Sequence, residues 1–275
     1  MYVDSHAHLE MEQFDADRDA MLERARAAGV ETILAIGSGT GPGSLDCAIE
    51  LARQHDWIFA TIGIHPHEAK LAGDEDYAEL QALAGHEKVI AWGEIGLDYY
   101  YDHSPRDLQK QVFLRQMELA AAARLPIVIH CRPSEGSDDA WDDTLALLRQ
   151  HWAGRKLGGI LHCFTGSVRH MQAAMEMGFL ISFSGNVTFA KAQSIRDAAA
   201  AAALDGMLIE TDSPFLAPAP LRGKRNEPAY VVKVAEKIAE VRGIGAAEVA
   251  AATTANFRRF FAAHNKFPVK SQQVG

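Results

Sequence analysis

Cysteine is scarce in this 275-residue chain: Cys47, Cys131 and Cys163 are odd in number and form no CxxC pair. That excludes a disulfide framework and a cysteine-rich zinc module. Cys131 and Cys163 each follow a histidine at the end of an apolar run, so alternation along a strand predicts small buried thiols packed outside the sheet. No apolar run approaches the roughly 20 residues that span a bilayer. The N-terminus lacks a basic segment followed by an apolar one, so a soluble, cytoplasmic protein is expected. Cations are in deficit, 27 Lys and Arg against 36 Asp and Glu, for a net charge of -9. Such a balance disfavours a protein that coats nucleic acid with a broad basic face, and leaves room for an enzyme that holds phosphate through metals and a few local cations.

What is present is alternation. Short β-rich apolar runs occupy residues 2–5, 32–37, 59–64, 89–94, 127–130, 159–162, 180–183 and 207–210. Between them lie stretches of helical period at 14–28, 44–55, 76–85, 106–124, 139–152, 168–177, 190–203, 229–242 and 246–263. Eight βα repeats in a chain of this length predict an α/β fold, a single-domain TIM (β/α)8-type barrel. Ser104-Pro105 is read as the cap of the long fourth helix, and the alanine-rich tract 197–203 as a small-faced helix. The barrel is expected to fill residues 1–265, with a polar, mobile tail at 266–275.

Polar residues collect at the ends of these runs. His6 and His8 close the first, two residues apart and so on one face of a strand. Glu94, His130, His162 and Asp212 fall at or just beyond the ends of the fourth, fifth, sixth and eighth. The C-terminal rim of a parallel barrel is where such folds place chemistry. A buried carboxylate left without a partner costs several kcal/mol, roughly, and a dication meets that need. Four imidazoles and two carboxylates suit zinc, manganese or iron, whereas calcium prefers oxygen ligands alone.

Taken together, the motifs Asp4-Ser5-His6-Ala7-His8, Gly63-Ile64-His65-Pro66-His67, GEIGLDYY at 93–100, 126–132, LHCFTG at 161–166, Glu210-Thr211-Asp212-Ser213-Pro214, RGKRNEP at 222–228 and Asn256-Phe257 resemble the TatD-like metal-dependent hydrolases of the amidohydrolase superfamily. The resemblance runs from residue 2 to about 261. It implies two divalent ions, Mg, Mn or Zn, one held by His6, His8, Glu94 and Asp212 and the other by Glu94, His130 and His162. Glu94 would bridge them, and Asp212 would be both ligand and proton shuttle. It also implies a deoxyribonuclease that cleaves phosphodiester bonds with a metal-activated hydroxide, 3′ to 5′ from single-stranded DNA ends, with no membrane and no obligate protein partner. The departure from the pattern is the loop 133–138, longer than in many relatives, which bears on substrate access.

Around the rim the residues admit paired readings. His65 is placed to stabilise a phosphate oxygen or leaving group and His67 stands beside it; the other reading is a solvated His-Pro turn. Thr165, in the stretch 163–167 before a helix, suits an anion at free N–H groups, while Ser167 suits an ordinary cap. Arg222, Lys224, Arg225 and Asn226 form the dense cationic cluster, a phosphate clamp or a solvated loop. Tyr99, Tyr100 and Tyr101 stack on a base or pack over the mouth. The same centre also serves a second hydrolase reading, an ester, amide or lactone such as an aminoacyl ester on tRNA. A third reading, an inactive barrel used for binding, is disfavoured because all six ligands are present.

Overall fold

The computed structural model describes residues 1–267 except 39, 40 and 42. Its strands are β1 (Tyr2–Ala7), β2 (Val30–Ala35), β3 (Ile58–Ile62), β4 (Val89–Asp98), β5 (Ile127–Arg132), β6 (Gly159–Leu161), β7 (Phe179–Phe183) and β8 (Met207–Ile209). All pair in parallel and in sequence order. Past the end of β8, Asp212 N–H donates to His6 O (2.9 Å) and His8 N–H to Ser213 O (2.8 Å). A bridge between Ala7 and Ser213 joins the same two segments. These bonds bring the last strand back to the first, and the expected barrel results.

Around the strands run α1 (Arg18–Ala27), α2 (Cys47–Ala52), α3 (Asp74–Leu83), α4 (Arg106–Ala122), α5 (Asp139–His151), α6 (Val168–Glu176), α7 (Gln193–Ala201), α8 (Val231–Arg242) and α9 (Ala246–Ala263). None is long and apolar enough to cross a membrane. Val3, Leu34, Phe59, Ile90, Val128, Ile160, Leu180 and Leu208, one from each strand, fill the lower barrel, and Phe257 and Phe261 of α9 close it from below. Asn256 of α9 donates to Leu204 O and Met207 O (2.8 Å each), tying that plug to the start of β8. The polar layer is thereby confined to the opposite, C-terminal mouth. Of the tail expected at 266–275, only Lys266 and Phe267 fall among the described residues, and the Phe267 ring packs on Phe59 and Phe257.

Two local expectations are corrected. Pro105, not Ser104, stands at the N-cap of α4, and no side chain caps that end. The Ser104 hydroxyl is buried, so it pairs within the rim, donating to His67 O (2.7 Å) and accepting from Lys70 N–H (3.0 Å). Cys131 does pack outside the sheet, where Thr144 of α5 donates to its sulfur (3.5 Å). Cys163 does not, because the pairing of that segment ends one residue past β6, at His162, whose N–H donates to Ile129 O (3.2 Å), and alternation stops there. Its backbone turns left-handed (φ 42°), and the thiol meets Ser184 and Asn186 beyond the end of β7.

Candidate metal centre

Strand alternation alone carries two of the ligands. Val128 and Ile160 point into the barrel, and His130 and His162, two residues on, do the same. Glu94 needs more. Ile90 fills the barrel, but a bulge of β4 against β3 at that residue sends Trp92 outward, its indole N–H donating to Gln116 of α4 (3.2 Å), and alternation from Trp92 would aim Glu94 outward as well. The register of β4 against β5 shifts between Trp92 and Ile95, and the extra residue turns Glu94 into the mouth. A second shift in β1, between Asp4 and Ala7, does this for His6 after Ser5 has paired inward with Ser182.

Gly93 makes the first shift possible, since a Cβ there would stand 2.6 Å from both Cβ and O of Val128. Gly93→Ala is therefore expected to destabilise the fold by about 1–3 kcal/mol through overpacking. Urea unfolding checks this, and a wild-type midpoint would remove the packing argument.

The six residues meet around one carboxylate. Glu94 Oε2 faces His6 Nε2 (3.4 Å) and His8 Nε2 (3.6 Å), which also lie 3.7 and 3.5 Å from Asp212 Oδ1. Glu94 Oε1 faces His162 Nε2 (2.6 Å), His130 Nδ1 (2.8 Å) and His65 Nε2 (3.6 Å). Each oxygen thus has its own nest of imidazoles. Among the described residues, donor atoms close enough to share an ion occur in three groups: His6, His8 and Asp212; His6, Glu94 and His162; His65, Glu94 and His130. Asp212 holds a left-handed backbone (φ 54°), which its short polar side chain tolerates, and that turn delivers the carboxylate to the mouth.

Electrostatics explains why the cluster suits a dication. Burial resists charge on Glu94, yet the imidazoles of His162, His65 and His6 outweigh it and hold the carboxyl well below its ordinary range. Burial likewise resists protonation of His162, but Glu94 and Glu210 drive it upward, and Asp212 and Glu10 do the same for His8. Without an ion, protons on these imidazoles balance the buried carboxylates. A divalent cation supplies that charge instead, while the imidazoles lose their protons and become ligands. On its donor set and charge balance the site fits divalent metal.

Sequence reasoning missed the residues that orient these ligands. Asp98 Oδ2 pairs with His130 Nε2 (3.0 Å) and His67 Nε2 (2.8 Å), while its Oδ1 accepts the N–H groups of Tyr100 (3.0 Å) and Tyr101 (2.9 Å). Glu210 Oε1 meets His162 Nδ1 (3.2 Å) and Cys163 N–H (2.6 Å), and Glu10 Oε1 lies 3.5 Å from His8 Nδ1. Asp4, pushed up to about 8 by burial, accepts from Thr211 Oγ1 (2.6 Å) and N–H (2.9 Å), fixing the turn that carries Asp212. A local signal exists for three of them, an acidic residue two positions from a ligand: Asp4 from His6, Glu10 from His8 and Glu210 from Asp212.

Such partners fix ring orientation and tautomer. In Asp98→Asn the amide would face imidazole nitrogens that need an acceptor. We expect metal affinity to fall about 10- to 100-fold. Titration with Mn or Zn measures it, and unchanged affinity would separate Asp98 from the centre.

On the substrate side, the His-Pro turn is not solvated. Burial pushes His65 down to about 4, so its imidazole is neutral at pH 7, and Nδ1 accepts His67 N–H (3.2 Å). The remaining proton sits on Nε2, directed at the mouth. Ser167 caps α6, accepting from His170 N–H (3.4 Å), and Thr165 is exposed. The cationic cluster divides. Arg225 is bound to Asp17 (2.6 and 2.9 Å) and Gln13 O (2.7 Å), and buried Asn226 donates to Thr211 O (2.8 Å) and Phe215 O (2.6 Å). Both brace the loop after β8, which corrects the four-residue clamp. Arg222 lies over the Phe189 ring (4.5 Å), and Lys224 is exposed.

Known proteins resemble this chain over nearly its whole length. The family model described as TatD related DNase matches residues 3–262. An uncharacterized metal-dependent hydrolase, YabD of Bacillus subtilis, is 45% identical over 95% of this chain and 99% of its own length. The 3′-5′ ssDNA/RNA exonuclease TatD of Cronobacter sakazakii is 37% identical over 90% of this chain and 93% of its own. Among solved structures, the TatD homologue YjjV of Escherichia coli superposes with a TM-score of 0.87 at 28% identity, covering 95% of this chain and 98% of that one.

Proposed function

Because the chain belongs to the TatD related DNase family, we propose that this metal-dependent hydrolase is a cytoplasmic 3′ to 5′ exonuclease acting on single-stranded nucleic-acid ends, DNA above all. The observation that carries this reading is the division of Glu94 between two imidazole nests, Oε2 toward His6 and His8 and Oε1 toward His130 and His162. One carboxylate so divided suits two ions, with Asp212 completing the first nest. Bound there, divalent ions would lower the pKa of the attacking water and stabilise charge on the phosphoryl oxygens.

The protein's own groups do the rest. Asp212, kept ionised chiefly by its hydrogen bond to His8 against the penalty of burial, accepts the proton of the attacking water. Neutral His65 donates its Nε2 proton in a hydrogen bond to a phosphate oxygen. His67 is held by Asp98 behind it, and Thr165, Arg222 and Lys224 remain the rim residues for neighbouring phosphates.

The test runs 3′-end-labelled single-stranded DNA, aminoacyl-tRNA and generic esters in parallel. Chelation is expected to abolish cleavage of the DNA, and magnesium, manganese or zinc to restore it. Hydrolysis of esters alone would overturn the nuclease reading in favour of carbonyl chemistry at the same centre.

A further inference from the structure

Arg132 takes no part in the metal centre, yet it stands beside it. It ends β5 two residues beyond His130, about 7 Å further along the strand toward solvent. Its partner across the sheet is Asp98. The side chain is exposed, and among the described residues its guanidinium has no ion-pair or hydrogen-bond partner. Several other arginines of this acidic chain are taken up by carboxylates, among them Arg106 by Asp102 and Asp139, Arg225 by Asp17, and Arg24 by Glu227.

Arg132 instead lies over two aromatic faces, 4.3 Å from the Tyr100 ring and 4.7 Å from that of Tyr101. Those tyrosines are about half exposed, 48% and 49%. The turn that presents them is bonded to the metal centre, since the Asp98 carboxylate that holds His130 also accepts both tyrosine N–H groups. Tyr101 lies edge-on to His67 at 5.5 Å. A guanidinium laid on rings is held in place while the N–H donors along its edge stay free, and that edge suits a phosphate. Tyr101 already stacks on His103 (5.5 Å, 1° between ring planes), and the portions of the two rings left exposed, those of Tyr100 above all, offer stacking to a base of any identity.

We propose that Arg132, Tyr100 and Tyr101 form a nucleotide subsite next to the metal centre, in which Arg132 binds a backbone phosphate one step from the scissile bond and the tyrosines stack the adjoining base. This rests on the nuclease reading for its substrate class. Arg132 is a substrate-contact residue here, and the subsite is blind to sequence because phosphate and π-face are common to all nucleotides.

The test is equilibrium binding of a fluorescein-labelled oligothymidylate to the full chain, followed by anisotropy in EDTA between about 50 and 200 mM salt. Arg132→Ala is expected to weaken binding about tenfold and to make the salt slope shallower by about 0.7, one phosphate contact on a single strand. Arg132→Gln, which keeps a side chain over the rings, is expected to lose the same slope. Tyr100→Ala with Tyr101→Ala is expected to weaken binding, also about tenfold, with less effect on slope. An unchanged slope in both Arg132 variants overturns the proposal, whatever the change in affinity, as does absence of binding by the wild type.

The two readings fail separately. Wild-type protein that binds with an Arg132-dependent slope but cleaves no DNA after metal is added would refute the nuclease and leave the subsite. Wild-type protein that cleaves DNA while both variants bind with its slope would refute the subsite and leave the nuclease.

Discussion

Glu94→Gln is expected to reduce turnover on single-stranded DNA by about a thousandfold or more and to strip metal from the purified protein. The side chain keeps its volume, so the barrel has no packing reason to fail. What disappears is the charge around which five imidazoles converge. Glu94 is 2% exposed, and both its oxygens lie within 3.6 Å of histidine nitrogens. An amide presents one acceptor and one donor where the two nests each need an acceptor, so one nest must lose its shared ligand atom and the other its full charge. In the metal-free protein the same substitution removes a principal source of the raised pKa of His162. Metal content by mass spectrometry and turnover on end-labelled DNA decide the matter together. Full metal content with normal turnover would show that Glu94 does not hold the ions. Lost turnover with metal retained would move it from ligand to proton chemistry.

Asp212→Asn is expected to separate those two quantities, which Glu94→Gln lowers together. His6, His8 and Glu94 would still offer donors to an ion, so much of the metal should remain. Turnover should fall about 100- to 10,000-fold, the usual worth of a positioned general base. The asymmetry follows from geometry. Asp212 sits 3.5–3.7 Å from His8 and His6 nitrogens, at the open side of the nest, and is 9% exposed. Its left-handed backbone is held by Asp4 through Thr211 and by Asn226 through Thr211 O, so the loop keeps its shape when the charge is removed. Single-turnover cleavage after metal saturation is the decisive measurement. Near-normal rates would remove Asp212 from proton transfer, and a full loss of metal would make it chiefly a ligand.

Much of the fold and of the ligand set is legible in the amino-acid sequence. Eight apolar runs separated by helical periods are a one-dimensional record of βα repeats, because strand and helix differ in the spacing of their buried residues. The strand positions agree with the structure to within a few residues, β4 excepted. His130 and His162 can be aimed from alternation alone, since their strands are regular up to the rim. Helix starts are less secure. Residues 12–14 form a separate 3-10 turn ahead of α1, and α2 occupies only Cys47–Ala52 of the stretch read as helix.

What the sequence by itself determined was the parallel barrel and the inventory of side chains able to hold metal at its mouth, because both depend on local spacing. Only the tertiary structure decided how those side chains face one another. The shifts at Glu94 and His6 depend on the register of one strand against its neighbour, which no pattern within a single strand records. The orienting carboxylates Asp98, Glu210, Glu10 and Asp4, the use of Arg225 and Asn226 as braces, and the open guanidinium of Arg132 depend on partners that are distant in sequence or set by a turn. The spacing of residues along a chain reports which groups are available, whereas charge pairing and hydrogen bonding are settled where separate segments meet.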